Sequence, residues 1–425
     1  MKMFQSTKSL VRSARASKRS FGTFLLCLMA VLPRPVLGEH WPRFRGPEGR
    51  GSSTATNLPV QWTDADYDWS VKLPGIGHSS PIVWDDQLVV TSGDPDNGTR
   101  YVLCYGASDG APQWRREFKS STHPLHSRNS YASSTPVTDG RAVYVTWATP
   151  ESYQLIALSL KDGRNLWDVD LGPFVSQHGF AISPIVYDDL VIVGNEQLGE
   201  SFVAAYSGRD GKQVWKRARN SVKAAYSVPA VYQPKDGKPQ LIFHSTAHGI
   251  SSIEPTTGEQ NWSLDVFTAR CVASPLIAGD LILGSSGQGG SGLILFAVRP
   301  APAGDQAEIV YKITDNAPYV VTPVVHNDLL FVWHDRGTVS CHRIATGERI
   351  WHQRVGGNYS ASPVVVGNHI YCMEHGGEVV VLEAADEFRL VARNDLGERG
   401  RATPAVSGGR IFFRTESQLM ALGGR

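Results

Sequence analysis

Eight times along this chain a short apolar run opens on a Ser-Pro, Thr-Pro or Val-Pro step, at Pro81, Pro136, Pro184, Pro229, Pro275, Pro323, Pro363 and Pro404. Successive prolines lie 55, 48, 45, 46, 48, 40 and 41 residues apart. A period of this size, filled with short strands and tight turns, forces like units to stack on one another, and four strands per unit make the blade of a β-propeller. Five times a glycine-containing turn leads to a tryptophan, at Trp114, Trp167, Trp215, Trp262 and Trp351. A large flat side chain recurring at one blade position is expected to pack between neighbouring blades, where it buries much apolar area.

Blade 1 shows the plan. Ser79 to Val83 opens an inner strand, Asp85-Asp86 turns it, and Gln87 to Thr91 returns. A Gly/Asp/Asn-rich loop leads to Tyr101–Tyr105, Ser108-Asp109-Gly110 turns again, and Pro112 to Phe118 is the outer strand. Alternating apolar residues between Asp-Gly steps mark hairpins, because such turns need residues that accept φ > 0. Two units are degenerate. The fifth carries a Gly-rich loop from Gly284 to Gly292 and has Tyr311 near the tryptophan position, and the seventh ends without a tryptophan. The last unit, Pro404 to Leu422, holds only about three strands, and Asp68-Trp69-Ser70-Val71-Lys72-Leu73 upstream resembles the missing outer one. The expected fold is therefore all-β: an eight-bladed propeller of four-stranded antiparallel blades, closed by the N-terminal strand, which removes an exposed sheet edge. The expected segments are 1–38, a secretory signal; 39–64, an N-terminal extension; and 65–424, the propeller.

Residues 1–38 differ in character from the rest. They hold seven basic residues and no acid, then an apolar run from Phe21 to Leu32, with Val36-Leu37-Gly38 as a cleavage site. The run is too short to span a bilayer and reads as an export signal. Leu26 before Cys27 is too large for a lipobox. Cleavage after Gly38 takes the net charge from +1 to −6. An acidic mature chain with no basic block argues against nucleic acid as a partner, and no later run is long enough for a membrane segment. Cys104, Cys271, Cys341 and Cys372 remain, with neither CxxC nor CxxCH spacing. Cys104 and Cys341 lie ten residues before their tryptophans, where other blades have Ala157, Ala205 and Ser252, so they read as small buried strand residues.

The Asp/Thr-Gly-x-x-x-Trp turns and Ser-Pro openings together resemble the pyrroloquinoline quinone (PQQ) repeat propellers, a group that includes quinoprotein alcohol dehydrogenases and the outer-membrane assembly factor BamB. The likeness covers roughly residues 65–424, and the leader Trp41-Pro42-Arg43-Phe44-Arg45-Gly46-Pro47 is similar to the start of many secreted bacterial propellers. The repeat is structural and does not by itself imply quinone binding. Quinoprotein dehydrogenases carry an adjacent Cys-Cys pair, Ca²⁺ ligands and a catalytic Asp. This chain has no Cys-Cys pair, and the other motifs find no match in it.

In an up-and-down blade, the loop between the second and third strands leaves on the same face as the linker between blades. Around that mouth of the channel the expected binding residues are His78, His178, Arg270, Trp333, Tyr359, Arg399 and Arg401. Arginine favours carboxylates and tyrosine offers a stacking face, so the rim suits an anionic or polyol ligand. Trp333-His334-Asp335-Arg336 and Glu374-His375 occupy equivalent loops of adjacent blades and make His334, Asp335 and His375 the candidate catalytic residues. No metal site is expected, since the histidines follow no ligand spacing. The leading expectation is an exported, non-enzymatic scaffold at the periplasm or cell envelope, binding a protein or glycan without a cofactor. The alternative is a PQQ- and Ca²⁺-dependent alcohol dehydrogenase with Trp333 or Trp147 stacked on the quinone and Asp335 as base. A hydrolase or lyase using the His-rich rim comes third.

Overall fold

In the computed structural model, which describes residues 39–423, the chain forms eight antiparallel sheets arranged as propeller blades. The expected signal segment lies outside the described residues. Blade 1 consists of Ile82–Trp84, Gln87–Gly93, Arg100–Gly106 and Pro112–Phe118, innermost strand first. Blades 2 to 7 repeat this order between Val137 and Asp395. Blade 8 takes Ala405–Ser407, Arg410–Arg414 and Gln418–Gly423 from the C-terminal end, and its outer strand is Tyr67–Lys72, antiparallel to Gln418–Gly423. The ring thus closes as the sequence implies. No helix among the described residues is long and apolar enough to cross a membrane.

Both repeated sequence steps have a mechanical reason. At six of the eight blade prolines, the hydroxyl residue before the proline accepts the backbone N–H of its counterpart in the preceding blade. Ser80 donates to Thr135 Oγ1, Thr135 to Ser183 Oγ, Val228 to Ser274 Oγ, Ser274 to Thr322 Oγ1, Thr322 to Ser362 Oγ and Ser362 to Thr403 Oγ1, all at 2.9–3.0 Å. These bonds run as a belt around the channel and tie blade to blade. The belt breaks twice: Val228 offers Ser183 no oxygen, and Ser80 Oγ receives no bond from Thr403.

The glycine and tryptophan motifs are one contact seen from two blades. Gly163, at φ 69°, lies on the ring of Trp114 from the previous blade, so close that a Cβ would sit 2.6 Å from it. Gly110 on Trp69, Gly211 on Trp167 and Gly258 on Trp215 repeat the contact. The indole N–H then donates across the interface, from Trp114 to the Leu160 carbonyl at 2.8 Å and from Trp215 to that of Pro255 at 2.8 Å. Tyr311 fills the same role in blade 5, packing on Gly347 and donating to the Ile344 carbonyl. Each aromatic faces a small residue across its own hairpin: Cys104 pairs with Trp114, Ala157 with Trp167, and Cys341 with Trp351. Among the described residues, the four cysteines are buried and free.

Two features depart from the sequence reading. The expected Gly284–Gly292 loop is mostly strand, within Leu281–Gln288 and Ser291–Arg299, which pair with each other; Gly284 is glycine because the His244 ring lies 2.5 Å from where its Cβ would be. The segment 39–64 is also no mere extension. Trp41 exchanges both backbone hydrogen bonds with Val83 in blade 1, and the Pro42 carbonyl accepts from Thr138 in blade 2. Arg43 donates to the Pro229 carbonyl of blade 4, and Ser52–Ser53 pairs in parallel with blade 7. The fully buried Arg45 guanidinium donates to the carbonyls of Gly49, Arg50, Thr322, Pro323 and Pro363. The leader is threaded into the channel and closes it.

Candidate functional site

Because the leader fills the channel, the remaining opening is a blind bowl of about 630 Å³ on the face that carries the blade linkers. Phe44 of the leader closes its lower end. The eight pre-proline residues form its lower wall, and the residues two positions earlier, from His78 round to Arg401, form the wall above. Since every blade contributes the same two positions, the repeat itself shapes the bowl, and only the side chains differ.

The lining holds Arg128, Arg270 and Arg401 with His78, His126 and His178, and no carboxylate. Arg270 is 7 % exposed; its Nη1 donates to His178 Nε2 at 3.3 Å and to the Tyr319 hydroxyl at 3.4 Å. Arg401 Nη1 donates to His78 Nε2 at 3.2 Å. Among the described residues, none of these arginines has an acidic partner within 4.0 Å. His126 stacks on His178 with centroids 4.8 Å apart. Burial holds the His78 imidazole down to about 3, reinforced by the Arg401 and Arg414 charges. Burial, Arg270 and His126 likewise lower His178. Beside His78 and His178, the cationic charge at neutral pH is therefore that of Arg401 and Arg270.

His78, His178, Arg270 and Arg401 thus come together at the bowl. The other sequence candidates do not line it. Trp333 is fully buried between blades, its ring 5.2 Å from that of Tyr359, which is also buried, so neither presents a face to a ligand in the bowl. Arg399 is exposed and paired with Glu416 at 2.8 Å. Asp335 accepts the backbone N–H groups of Val320 at 3.0 Å and Val321 at 3.2 Å, bracing the preceding linker; burial raises its carboxyl and those hydrogen bonds oppose the rise. His334 accepts the N–H of Arg336, and burial lowers it. His375 lies 2.7 Å from the Ser360 hydroxyl at the edge of the bowl and is lowered to about 4 by burial with Arg401 and Arg128. The three catalytic candidates are thus each engaged with a neighbouring loop group: Asp335 with Val320 and Val321, His334 with Arg336, and His375 with Ser360. The reading from sequence did not single out Phe44, His126 or Arg128; Arg128 lies in a long linker, and Phe44 gives no local sign that it enters the channel.

The quinone and Ca²⁺ pair can be tested against this lining. The arginines suit quinone carboxylates. Ca²⁺, however, needs several oxygen ligands, with carboxylates foremost, and the nearby acids are engaged as loop braces. Besides Asp335, Glu374 accepts the N–H groups of Asn358 and Gly376, and Glu398 accepts from Ser417 and Thr415. Among the described residues no group of three His, Cys, Asp or Glu side chains could hold a metal. The donor set does not fit the quinone–Ca²⁺ pair.

The sequence matches the family described as outer membrane protein assembly factor BamB over residues 98–353 and 335–422, more than half of the chain. The chain belongs to the BamB family. No curated protein matches it closely. Among solved structures, BamB from Moraxella catarrhalis superposes with a TM-score of 0.60 at 14 % identity, covering 84 % of this chain and 98 % of that one. The quinohemoprotein alcohol dehydrogenase from Comamonas testosteroni gives 0.62 at 12 % identity, covering 91 % and 80 %. The computationally designed Ika8 protein gives 0.58 at 10 %, covering 84 % and 99 %. At these identities a BamB protein, an oxidoreductase and a designed protein fit about equally well, so the likeness shows the fold alone.

Proposed function

We propose that this BamB-family chain is an exported, non-enzymatic scaffold that docks a protein partner at the cell envelope on its linker-bearing face. The observation that carries the reading is an apolar shoulder beside the bowl. Val175, Leu198 and Val222 are exposed at 48 %, 40 % and 65 %, and they sit on adjoining loops of blades 2 to 4. The Leu198 N–H donates to the Val175 carbonyl, and the Ala225 N–H to that of Glu196, which holds these loops side by side. The other exposed large aliphatics lie on outer strands, at Leu166, Val214, Ile309 and Leu390. Clustered exposed aliphatics rimmed by polar groups mark interaction sites, whereas scattered ones need no explanation. A partner that brings aliphatic side chains to the shoulder and acidic ones to the arginine rim meets both features.

Photo-crosslinking in cells tests the reading, with the probe residue placed at Leu198 or Val222 and, as controls, at Leu166 or Leu390. The expected result is one discrete adduct from the first pair and none from the second. Equal labelling from all four positions, or from none, overturns it. The dehydrogenase reading is not favoured by the donor set, and a glycan partner would leave the shoulder unused.

A further inference from the structure

The bowl beside the shoulder has an imbalance that docking a protein on the rim does not resolve: its buried polar groups are donors. A guanidinium has no acceptor, so His178 Nε2 must accept from Arg270, and the His178 proton then resides on Nδ1. That Nδ1 is buried without a partner, as are Arg270 Nε, Arg401 Nε and Ser80 Oγ. The belt adds more. Thr135, Ser183, Ser274, Thr322, Ser362 and Thr403 each spend a lone pair on the preceding blade's N–H, and none of these hydroxyls donates to any acceptor among the described residues. All six line the bowl. Buried donors left without acceptors cost about 1–3 kcal/mol each, so a cavity that collects them is built for an occupant that accepts.

We propose that the bowl is a binding site for a small organic polycarboxylate, whose charge meets Arg128, Arg270 and Arg401 and whose deeper oxygens accept from the hydroxyl belt. The volume of about 630 Å³ falls in the range of small-ligand sites and is enclosed below by Phe44. Several carboxylates on one molecule are needed because the guanidiniums come from three different linkers, between blades 1 and 2, 4 and 5, and 7 and 8. Arginine's planar fork matches carboxylate geometry, and hydrogen bonds between charged groups are the stronger class. Phe44 and the aliphatic Val228, Val272 and Val320 leave room for a carbon skeleton between the charged groups. The ligand is either a free polycarboxylic acid or the uronate end of an acidic glycan. Both present the same carboxylates, and they differ in whether the ligand ends inside the bowl.

The test is calorimetric titration of the purified protein with citrate, with a trimer of galacturonate, and with sulfate. At least one carboxylate probe is expected to bind saturably and sulfate not to compete. Tighter citrate assigns a free acid, tighter trigalacturonate a glycan end. Arg128→Gln, at an exposed position and so safe for folding, is expected to weaken binding about tenfold, and Arg270→Gln at least as much. Arg399→Gln, outside the bowl and paired with Glu416, is expected to leave affinity unchanged. No heat from either carboxylate at millimolar concentration overturns the proposal. Equal binding of sulfate, or indifference to Arg128→Gln and Arg270→Gln, overturns it as well. The inference goes beyond the docking reading, and the two fail separately: carboxylate binding without crosslinks at Leu198 and Val222 removes the protein partner and leaves the bowl.

Discussion

Replacing Thr322 by Val tests whether the hydroxyl belt holds the ring together. Thr322 is 1 % exposed, and its Oγ1 accepts the Ser274 N–H at 3.0 Å. Valine keeps the volume and branching of threonine, so no cavity forms and no blade contact is lost. What changes is that a buried backbone N–H loses its acceptor, at a cost of about 1–3 kcal/mol. The chain itself contains the reverse case, since Val228 leaves the Ser183 N–H without a hydroxyl at the same belt position. Val228→Thr therefore supplies a missing acceptor and is expected to stabilise by about 0.5–1 kcal/mol. Equilibrium urea unfolding followed by tryptophan fluorescence measures both, with an unchanged slope showing that the same surface is exposed in each variant. A neutral Thr322→Val, or a Val228→Thr that destabilises as much, refutes the belt as a source of stability.

Three further outcomes follow from the same geometry. Gly211→Ala places a Cβ 2.7 Å from the Trp167 ring at φ 71° and is expected to lower the urea midpoint by the equivalent of about 2 kcal/mol, whereas the same change at the uncrowded Gly304 costs about 1 kcal/mol or less. Arg45→Met removes the guanidinium from five carbonyls and is expected to cost at least about 3 kcal/mol and to expose the leader to limited proteolysis; an unchanged midpoint contradicts the plug. The protein is expected to lose stability in acid. His244, 1 % exposed beside Phe267, is held down to about 3 by burial, so below its ordinary value of 6.5 the unfolded chain binds a proton that the folded one does not. The penalty grows as pH falls from 6.5 towards 3 and reaches about 2 kcal/mol at pH 5. Midpoints measured between pH 7 and pH 5 check this, and His244→Leu is expected to reduce the slope by its share, leaving that of His78 and His375.

Most of the architecture was legible because a propeller writes the same contact many times. Pro81 to Pro404 marked the inner strands, Gly163 and Trp114 marked opposite sides of one interface, and Trp69 could be matched to the last blade because it shares that contact. Residues acting once were not legible. Nothing local to Trp41, Phe44 or Arg45 says that they enter a channel built by residues some 40 to 320 positions away. The bowl was legible in part, since a loop position shows which face a residue is on but not whether its side chain points in. His78, His178, Arg270 and Arg401 turn into it, while Trp333 and Tyr359, from the same face, turn into the blade interface. The rim acids read as chemistry in the sequence, and in the folded protein they bind loop N–H groups, as Asp335 does at Val320.

Recognition without redox chemistry is tested most directly by titrating the purified protein with PQQ in the presence and absence of Ca²⁺, with dye-linked alcohol oxidation as the activity readout. Neither Ca²⁺-dependent tryptophan quenching nor dye reduction is expected. Any quinone that enters does so through its carboxylates and is displaced by citrate. Saturable quenching that requires Ca²⁺ and supports turnover would contradict the account and make the bowl a catalytic site.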